Sequence, residues 1–318
     1  MSGQISIALP SKGRLKEQCE AWLSDCGFGL EVAGGSRGYQ AQLTGLPGID
    51  APLLSSSDIA SGLDSGDLHL GVVGEDLLRE RGEEIGERVL LLRPLGFGRA
   101  DLVVAAPQSW IDVQTMADVD QVAMAYLSRT GRRMRVATKY GVLTRAFFAR
   151  HGIADYRIVD SSGATEGAPA AGAAELIVDI TTTGATLAAN GLRPLADGLI
   201  LKSQAQLAAS LKAPWTREGL ALARRLLRIV EARARARQLA ILTWPGEQDG
   251  AAEAATRTAV ERGASRRQNG VLVATPDLFD TAESLAAAGV GPVSAARPEY
   301  VFHAECPMID QLEVRLRM

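Results

Sequence analysis

The sequence predicts an α/β protein with largely parallel sheets, followed by a smaller α+β unit. Short apolar strands alternate with amphipathic helical patterns through the first two thirds of the chain. A long extended run at 88–107 has the length to cross between two lobes. Pro214 then breaks the pattern ahead of a long, arginine-rich helix, and shorter apolar segments follow it.

Taken in order, "ISIALP" reads as a strand and "RLKEQCEAWLSDCG" as an amphipathic helix ended by Gly27. "SSDIASGLDSG" reads as a capped helix, "LHLGVVG" as a strand and "EDLLRERG" as a helix. "RVLLLRPLGFGRADLVVAAP", Arg88 to Pro107, is two extended runs around Gly96 and Gly98. The alternation resumes with "RVATKY", "LTRAFFARHG", "YRIVD" and "ELIVDI", and "LRPLADGLILKSQAQLAAS" is expected to return to the first lobe. These readings give one lobe at 1–97 plus 187–215 and a second at 98–186. Residues 216–318 are expected to form a linker helix and a C-terminal regulatory and assembly domain. There "GVLVATP", "GPVSAAR" and "EYVFHA" read as strands, and "DLFDTAESLAAAG" and "MIDQLEVRLR" as helices. The polar run 246–269 reads as a mobile connection, or as a helix on its good helix formers "AAEAATRTAVERG".

Composition narrows the function. The 318 residues are 47% hydrophobic, enough for real cores, but only 5% aromatic, so stacking platforms for single strands are not expected. A formal net charge of -3 argues against nucleic acid or anionic membrane as a general partner. No apolar run approaches the ~20 residues of a membrane span. The first residues lack a signal peptide's pattern, so a cytoplasmic protein is expected. Cys19 and Cys26 lie seven apart, on one face of a helix, as buried free thiols; Cys306 completes no framework. His69, His151 and His303 are scattered, and His303 near Cys306 reads as structural, so no protein metal ligand is assigned.

Four stretches carry chemistry. In "DITTTGAT" a strand ends at Asp179 and is followed by Thr181, Thr182, Thr183, Gly184, Ala185 and Thr186. Glycine permits a sharp turn that gathers amide N–H groups, the threonines add hydroxyl donors, and the following helix start favours an anion. The result suits a phosphate monoester, with Asp179 toward the hydroxyls of an attached sugar; it also fits a plain strand-to-helix turn with a threonine N-cap. "SSGATEGAP" sets Gly163, Thr165 and Glu166 after the preceding strand, as a companion loop or a glycine-rich connection. Two loops ending adjacent strands would share one crevice. "PSKGRLKE" puts Lys12, Gly13 and Arg14 at a helix start, where cations oppose the dipole, which favours a ligand contact. Glu75 and Asp76 follow "GVVG" and by themselves read as ordinary first-turn acids.

In this order, "PSKGRL", "DLHLGVVGEDLL", "RVATKY" with "LTRAFF", and "SGATEGAPAAGAAELIVDITTTGATLAANGL" resemble the ATP phosphoribosyltransferase family, the first enzyme of histidine biosynthesis. The resemblance spans residues 4–212. It implies two lobes like a periplasmic binding protein, with ATP and phosphoribosyl pyrophosphate meeting in the cleft. Asp179 with Thr181–Thr186 would hold the ribose 5-phosphate, and Glu166 would lie near the ribose and pyrophosphate. Arg14 with Lys12 and Gly13, and the acids Glu75 and Asp76, would face them toward the nucleotide and pyrophosphate. The chemistry implied is attack by adenine N1 on the anomeric carbon with release of pyrophosphate, Asp179 and Glu166 serving as catalytic groups and Mg²⁺ bridging pyrophosphate oxygens. Family members of this length carry a small ferredoxin-like domain that binds histidine, which implies feedback inhibition and a homo-oligomer, hexamer or dimer. One departure stands out: "FGRADL" has Asp101 where an arginine is common, although Arg99 is two residues away. A cytoplasmic two-lobed binding or sensor protein is the competing class, and the tandem loops are what such a protein would not need.

Overall fold

Apolar runs bounded by glycine and proline become strands buried on both faces. In the computed structural model, which describes residues 5–32, 40–161, 163–245 and 250–316, they build three sheets. The chain opens with β1 (Ile5–Pro10), α1 (Gly13–Asp25), β2 (Gly29–Val32), β3 (Ala41–Thr44), β4 (Ile49–Asp50) and β5 (Leu53–Leu54). It continues through α2 (Ser56–Ser65), β6 (Leu70–Gly74), α3 (Glu75–Arg79), α4 (Ile85–Arg88) and β7 (Val89–Pro94). Next come β8 (Ala100–Pro107), α5 (Met116–Thr130), β9 (Met134–Thr138), α6 (Gly141–Arg150) and β10 (Tyr156–Asp160). β11 (Leu176–Thr181), α7 (Ala185–Ala189), β12 (Leu192–Ser203) and β13 (Ala205–Ser210) follow.

The first sheet has the order β2-β3-β4-β1-β6-β13-β7, with β5 also on β1. β1 runs parallel to β4, β5 and β6, whereas β13 is antiparallel to β6 and β7. The second sheet has the order β10-β9-β11-β8-β12, parallel across β10, β9 and β11 and antiparallel at β8 and β12. The near-continuous apolar run of β8 has a simple cause. Leu102, Val104 and Ala106 enter one core, and Val103 and Ala105 enter another on the opposite face. The expected two-lobed α/β organisation is present, one sheet to each lobe.

Strand pairing moves the return crossing. The run from 187 was expected to rejoin the first lobe, but β12 pairs with β8 from Leu192 to Ser203, bending through register shifts between Pro194 and Leu201. Only at Ala205 does the chain enter the first sheet. The β2–β5 strands, of two to four residues each, carry too little periodicity to be read in advance.

A second compact unit comprises Leu23–Phe28 and Glu218–Arg317. It contains α8 (Arg217–Ala236), β14 (Leu239–Thr243), α9 (Gly250–Glu261), β15 (Ser265–Arg267), β16 (Gly270–Ala274), α10 (Leu278–Ala287), β17 (Ser294–Ala296) and α11 (Pro307–Leu316). The antiparallel order β15-β16-β14-β17, with α9 and α10 as the two crossovers, is the ferredoxin-like βαββαβ arrangement. Along α8, Ala223, Leu226, Leu227 and Val230 are buried at helical spacing. Asp25 accepts from Arg233 at 2.8 Å and pairs with Arg237 at 2.7 Å. Two expectations change here. "EYVFHA" is not a strand: Val301 runs beside α8, its N–H donating to Ala232 at 3.0 Å and its carbonyl accepting from Arg235 at 3.1 Å. Of the run 246–269, residues 246–249 lie outside the described residues, and the rest contributes α9 and β15 as its helix formers allow.

Cys19, Cys26 and Cys306 are buried, and burial pushes the Cys19 thiol up to about 12. Cys26 lies one residue past the end of α1. Among the described residues no helix is long and apolar enough to cross a membrane.

Capping sets the start of α2: Ser55 Oγ accepts the Asp58 N–H at 3.1 Å, and Gly66 closes the helix in the left-handed region at φ 94°. A side chain at Gly66 would also press on the Lys212 carbonyl. Ser55→Ala removes the cap and should cost about 1 kcal/mol. Urea unfolding checks this, with a lower midpoint at an unchanged slope as the expected result.

Candidate active site

The site is built where strands of both sheets end. β11 lies parallel to β9 and antiparallel to β8, with Asp179 opposite Val103. Beyond Asp179 the chain turns through Thr182 and Thr183 to Gly184, which takes φ 75° and starts α7. The turn is internally bonded: Gly184 N–H donates to Thr181 Oγ1 at 2.9 Å and Ala185 N–H to Thr183 Oγ1 at 3.4 Å. Thr182 Oγ1 donates to the Arg99 carbonyl at 3.2 Å, fastening the turn to the crossing segment. Glu166, Asp179, Thr181, Thr182, Thr183, Ala185 and Thr186 line one cup of about 270 Å³.

Among the described residues the companion loop reaches the cup through Glu166 alone. Gly163 and Thr165 are not on its wall. Thr165 is buried and donates to the Ser161 carbonyl at 3.3 Å, shaping the loop from within. Ala164 takes φ 49°, a left-handed conformation that costs a non-glycine residue roughly 1–2 kcal/mol. The short 3-10 turn Thr165–Gly167 follows, with Gly167 N–H donating to the Ala164 carbonyl at 3.0 Å. Strain of this kind persists where surroundings over-determine the backbone, and here it aims Glu166.

A larger cleft of about 700 Å³ shares Ala100, Ile180 and Thr182 with the cup. Arg14, Leu15 and Gln18 of α1 line it, with Asp76, the Gly96–Ala100 crossing, Lys139 and Tyr140. Asp76 is only 6% exposed. Its Oδ2 accepts from the Tyr140 hydroxyl at 2.6 Å and its Oδ1 from Ser203 Oγ at 2.7 Å, while its N–H donates to Ser203 Oγ at 3.1 Å. Burial and the neighbouring Asp76 charge push the Tyr140 hydroxyl far above its usual range, so it stays a donor. A Cβ at Gly74 would overlap Asp76 Oδ1, so glycine is required there.

Glu75 takes no part in either wall. It pairs with Arg79 at 3.1 Å and accepts from Gln206 Nε2 at 2.8 Å. Adjacent residues on a helix point about 100° apart, so only one of Glu75 and Asp76 can face the cleft. Of the Lys12–Arg14 stretch, Arg14 is on the wall, whereas Lys12 and Gly13 are not. Lys139, Tyr140, Phe97 and Arg99 line the cleft without having been singled out as site residues by sequence. Lys139 and Tyr140 directly follow β9, at the carboxyl edge where ligands of α/β sheets gather, and that rule was the available signal.

The ATP phosphoribosyltransferase family model matches residues 55–231. An ATP phosphoribosyltransferase from Caulobacter vibrioides is 67% identical over 317 residues, spanning 100% of this chain and 99% of its own. The chain belongs to the ATP phosphoribosyltransferase family. A second family member, from Bradyrhizobium diazoefficiens, is 49% identical over 324 residues, with 100% of both chains covered. The solved ATP phosphoribosyl transferase (HisG:HisZ) complex from Thermotoga maritima has a chain that superposes with a TM-score of 0.54 at 24% identity, covering 72% of this chain and 99% of that one. That likeness concerns the fold, and it agrees with the two-lobed α/β architecture of the family.

Electrostatics mark Asp179. Burial pushes its carboxyl above the usual aspartate value, and the nearby Glu166 and Asp76 charges push the same way. The Ile180 N–H, donating at 2.8 Å, and the Lys139 charge oppose them. No cluster of three or more His, Cys, Asp or Glu able to hold a metal occurs among the described residues. Glu166 and Asp179 still offer hard oxygen donors at the cup, a set that fits magnesium carried mainly by a ligand's phosphates.

Because the folded Asp179 carboxyl titrates above its unfolded value, ionising it costs folding free energy. The cost is absent below the unfolded value, grows as pH rises between the two, and is complete above the folded value. Asp179→Asn removes it, so the variant should melt higher than the parent at neutral pH. The difference should close as pH falls through the ordinary aspartate range near about 3.9. Melting curves across pH check this, and a gain that persisted in acid would contradict the assignment.

Proposed function

We propose that this protein transfers the phosphoribosyl group of phosphoribosyl pyrophosphate to N1 of ATP and releases pyrophosphate, the first step of histidine biosynthesis. The observation that carries this reading is the shared wall. A cup of threonine hydroxyls and acids opens beside a cleft bearing Arg14, Arg99 and Lys139. The cup suits a ribose 5-phosphate, and the cleft has the volume and charge for a nucleotide triphosphate.

In this reading Thr181, Thr182, Thr183 and Thr186 hold the 5-phosphate. Asp179 accepts from the ribose hydroxyls, and Glu166 approaches the ring from the companion loop. The adenine N1 lone pair forms the new bond to C1, the C1–O bond breaks, and its electron pair leaves with pyrophosphate. Positive charge on the ribose rises as the bond breaks, and the two carboxylates are placed to stabilise it. The positive charge that then remains on the adenine ring is relieved by loss of a proton from its 6-amino group to solvent. No protein nucleophile is required, so positioning dominates. Magnesium, when bound to the pyrophosphate oxygens near Asp179 and Glu166, would supply charge neutralisation there. Arg99 stands in for the family arginine that Asp101 replaces, since it reaches the cleft wall.

The reading extends to a cytoplasmic homo-oligomer in which the ferredoxin-like unit binds histidine as feedback inhibitor. Its support is the βαββαβ order, the fold that the family resemblance implies for that regulatory domain.

Pyrophosphate release from phosphoribosyl pyrophosphate and magnesium, with ATP compared against GTP and CTP, tests the activity. Release with ATP alone is expected, and none with ATP would refute it. Thr183→Val removes an exposed hydroxyl donor at similar volume. A lost hydrogen bond to a charged group costs about 1.5–3 kcal/mol. Phosphoribosyl pyrophosphate should therefore bind roughly tenfold or more weakly, as calorimetric titration would report.

A further inference from the structure

Lys139 has so far been counted only as one of three cations on the cleft wall, yet its surroundings are specific. β9 and β11 are parallel neighbours with Val136 opposite Leu176 and Ala137 opposite Ile177. Continuing that register sets Lys139 level with Asp179, at the same carboxyl edge. Lys139 is exposed and lines the cleft. Its ammonium lies 4.9 Å from the centroid of the Tyr140 ring. That ring cannot shift freely, because its hydroxyl is bonded to the buried Asp76 at 2.6 Å. Among the described residues no carboxylate is in ion-pair contact with Lys139, so its charge is available to a ligand.

The proposed reaction creates a demand for such a charge. The cup wall carries the acids Glu166 and Asp179 and, among the described residues, no lysine or arginine. A pyrophosphate leaving beside two carboxylates gains negative charge where anions are already repelled. Three cations stand on the adjoining cleft wall: Arg14 on α1, Arg99 on the crossing segment, and Lys139. Of the three, Lys139 is the one that the continued β9–β11 register sets level with Asp179.

We propose that Lys139 is a catalytic residue that binds and neutralises the departing pyrophosphate. The inference rests on the transferase reading above. As the C1–O bond breaks, the electron pair and its charge pass to a pyrophosphate oxygen, and the Lys139 ammonium donates a hydrogen bond to that group. Lys139 gives up no proton, and it returns to its place over Tyr140 when pyrophosphate leaves. Its position beside the cup, outside the phosphate-holding turn, makes it a contact to the leaving group only and separates its role from binding of the 5-phosphate.

Titrations of the full-length protein with inorganic pyrophosphate and, separately, with ribose 5-phosphate, both in magnesium, test the inference. Lys139→Ala should weaken pyrophosphate binding roughly tenfold or more, leave ribose 5-phosphate affinity unchanged, and lower kcat by at least the same factor. Lys139→Arg should recover most of both losses. An exposed lysine leaves little packing behind, so melting temperatures should match. Pyrophosphate affinity unaltered in Lys139→Ala, or equal losses for both ligands, would overturn the assignment. Wild-type pyrophosphate release from ATP and phosphoribosyl pyrophosphate is measured alongside. Its absence would sink the transferase reading, whereas an active wild type with an unaffected Lys139→Ala would sink the lysine's role alone.

Discussion

A carboxylate as deeply buried as Asp76 must have partners, and it takes them from two distant segments of the chain. Its own strand-to-helix junction follows β6, Tyr140 follows β9 in the other sheet, and Ser203 ends β12 where the chain crosses back. Leaving such a charge unpaired costs several kcal/mol, so the three segments are held in one arrangement. Gly74 belongs to the same constraint, since only a residue without Cβ lets the carboxylate lie against its backbone. A second link runs parallel: the Glu80 carboxylate accepts the Val142 and Leu143 N–H groups at 2.8 and 3.1 Å, capping α6 from the opposite lobe. Burial pushes the Glu80 carboxyl up, while those N–H groups and Arg145 favour its ionised form. The mouth of the cleft is thus set by polar bonds at its base, and Tyr140 serves both as lock and as platform for Lys139.

That dependence explains what could and could not be read beforehand. "DITTTGAT" was legible because its chemistry is local: one glycine allows the turn, and hydroxyls one to three residues apart bond the amides around it. The alternation of strands and helices was equally local and supported an α+β unit after Pro214, whereas the ferredoxin-like order was implied by the family resemblance alone. The Asp76 network was not legible, because Asp76 and Ser203 are separated by 127 positions and nothing in the motif around Asp76 points to Ser203. Nor could sequence separate Asp76 from Glu75, since their difference lies in which side of a five-residue helix faces Ser203. "EYVFHA" misled for the converse reason. Its alternation fits a strand, but the arginines of α8 claim its carbonyls before a neighbouring strand can. Periodicity reports what a segment can bury, and the identity of the partner comes from elsewhere.

The cup and cleft also divide the charges between them. The acids Glu166 and Asp179 line the cup, and the cations Arg14, Arg99 and Lys139 line the cleft. Neither set is optimised for the folded state alone. Burial raises the Asp179 carboxyl above its usual range, Ala164 is held in a left-handed conformation, and among the described residues no carboxylate is in ion-pair contact with Lys139. Each is a local cost that packing elsewhere in the two cores must outweigh, which is the usual relation between a site and its scaffold. The costs are also mutually relieving. Under the transferase reading proposed above, a bound sugar phosphate would give Asp179 hydroxyl donors and a bound pyrophosphate would give Lys139 an anion, so ligand would add to the stability of the lobes through these same residues. The asymmetry of the two walls, acid against cation, would then fix the direction in which a ribose carrying a monophosphate at one end and a diphosphate at the other can lie.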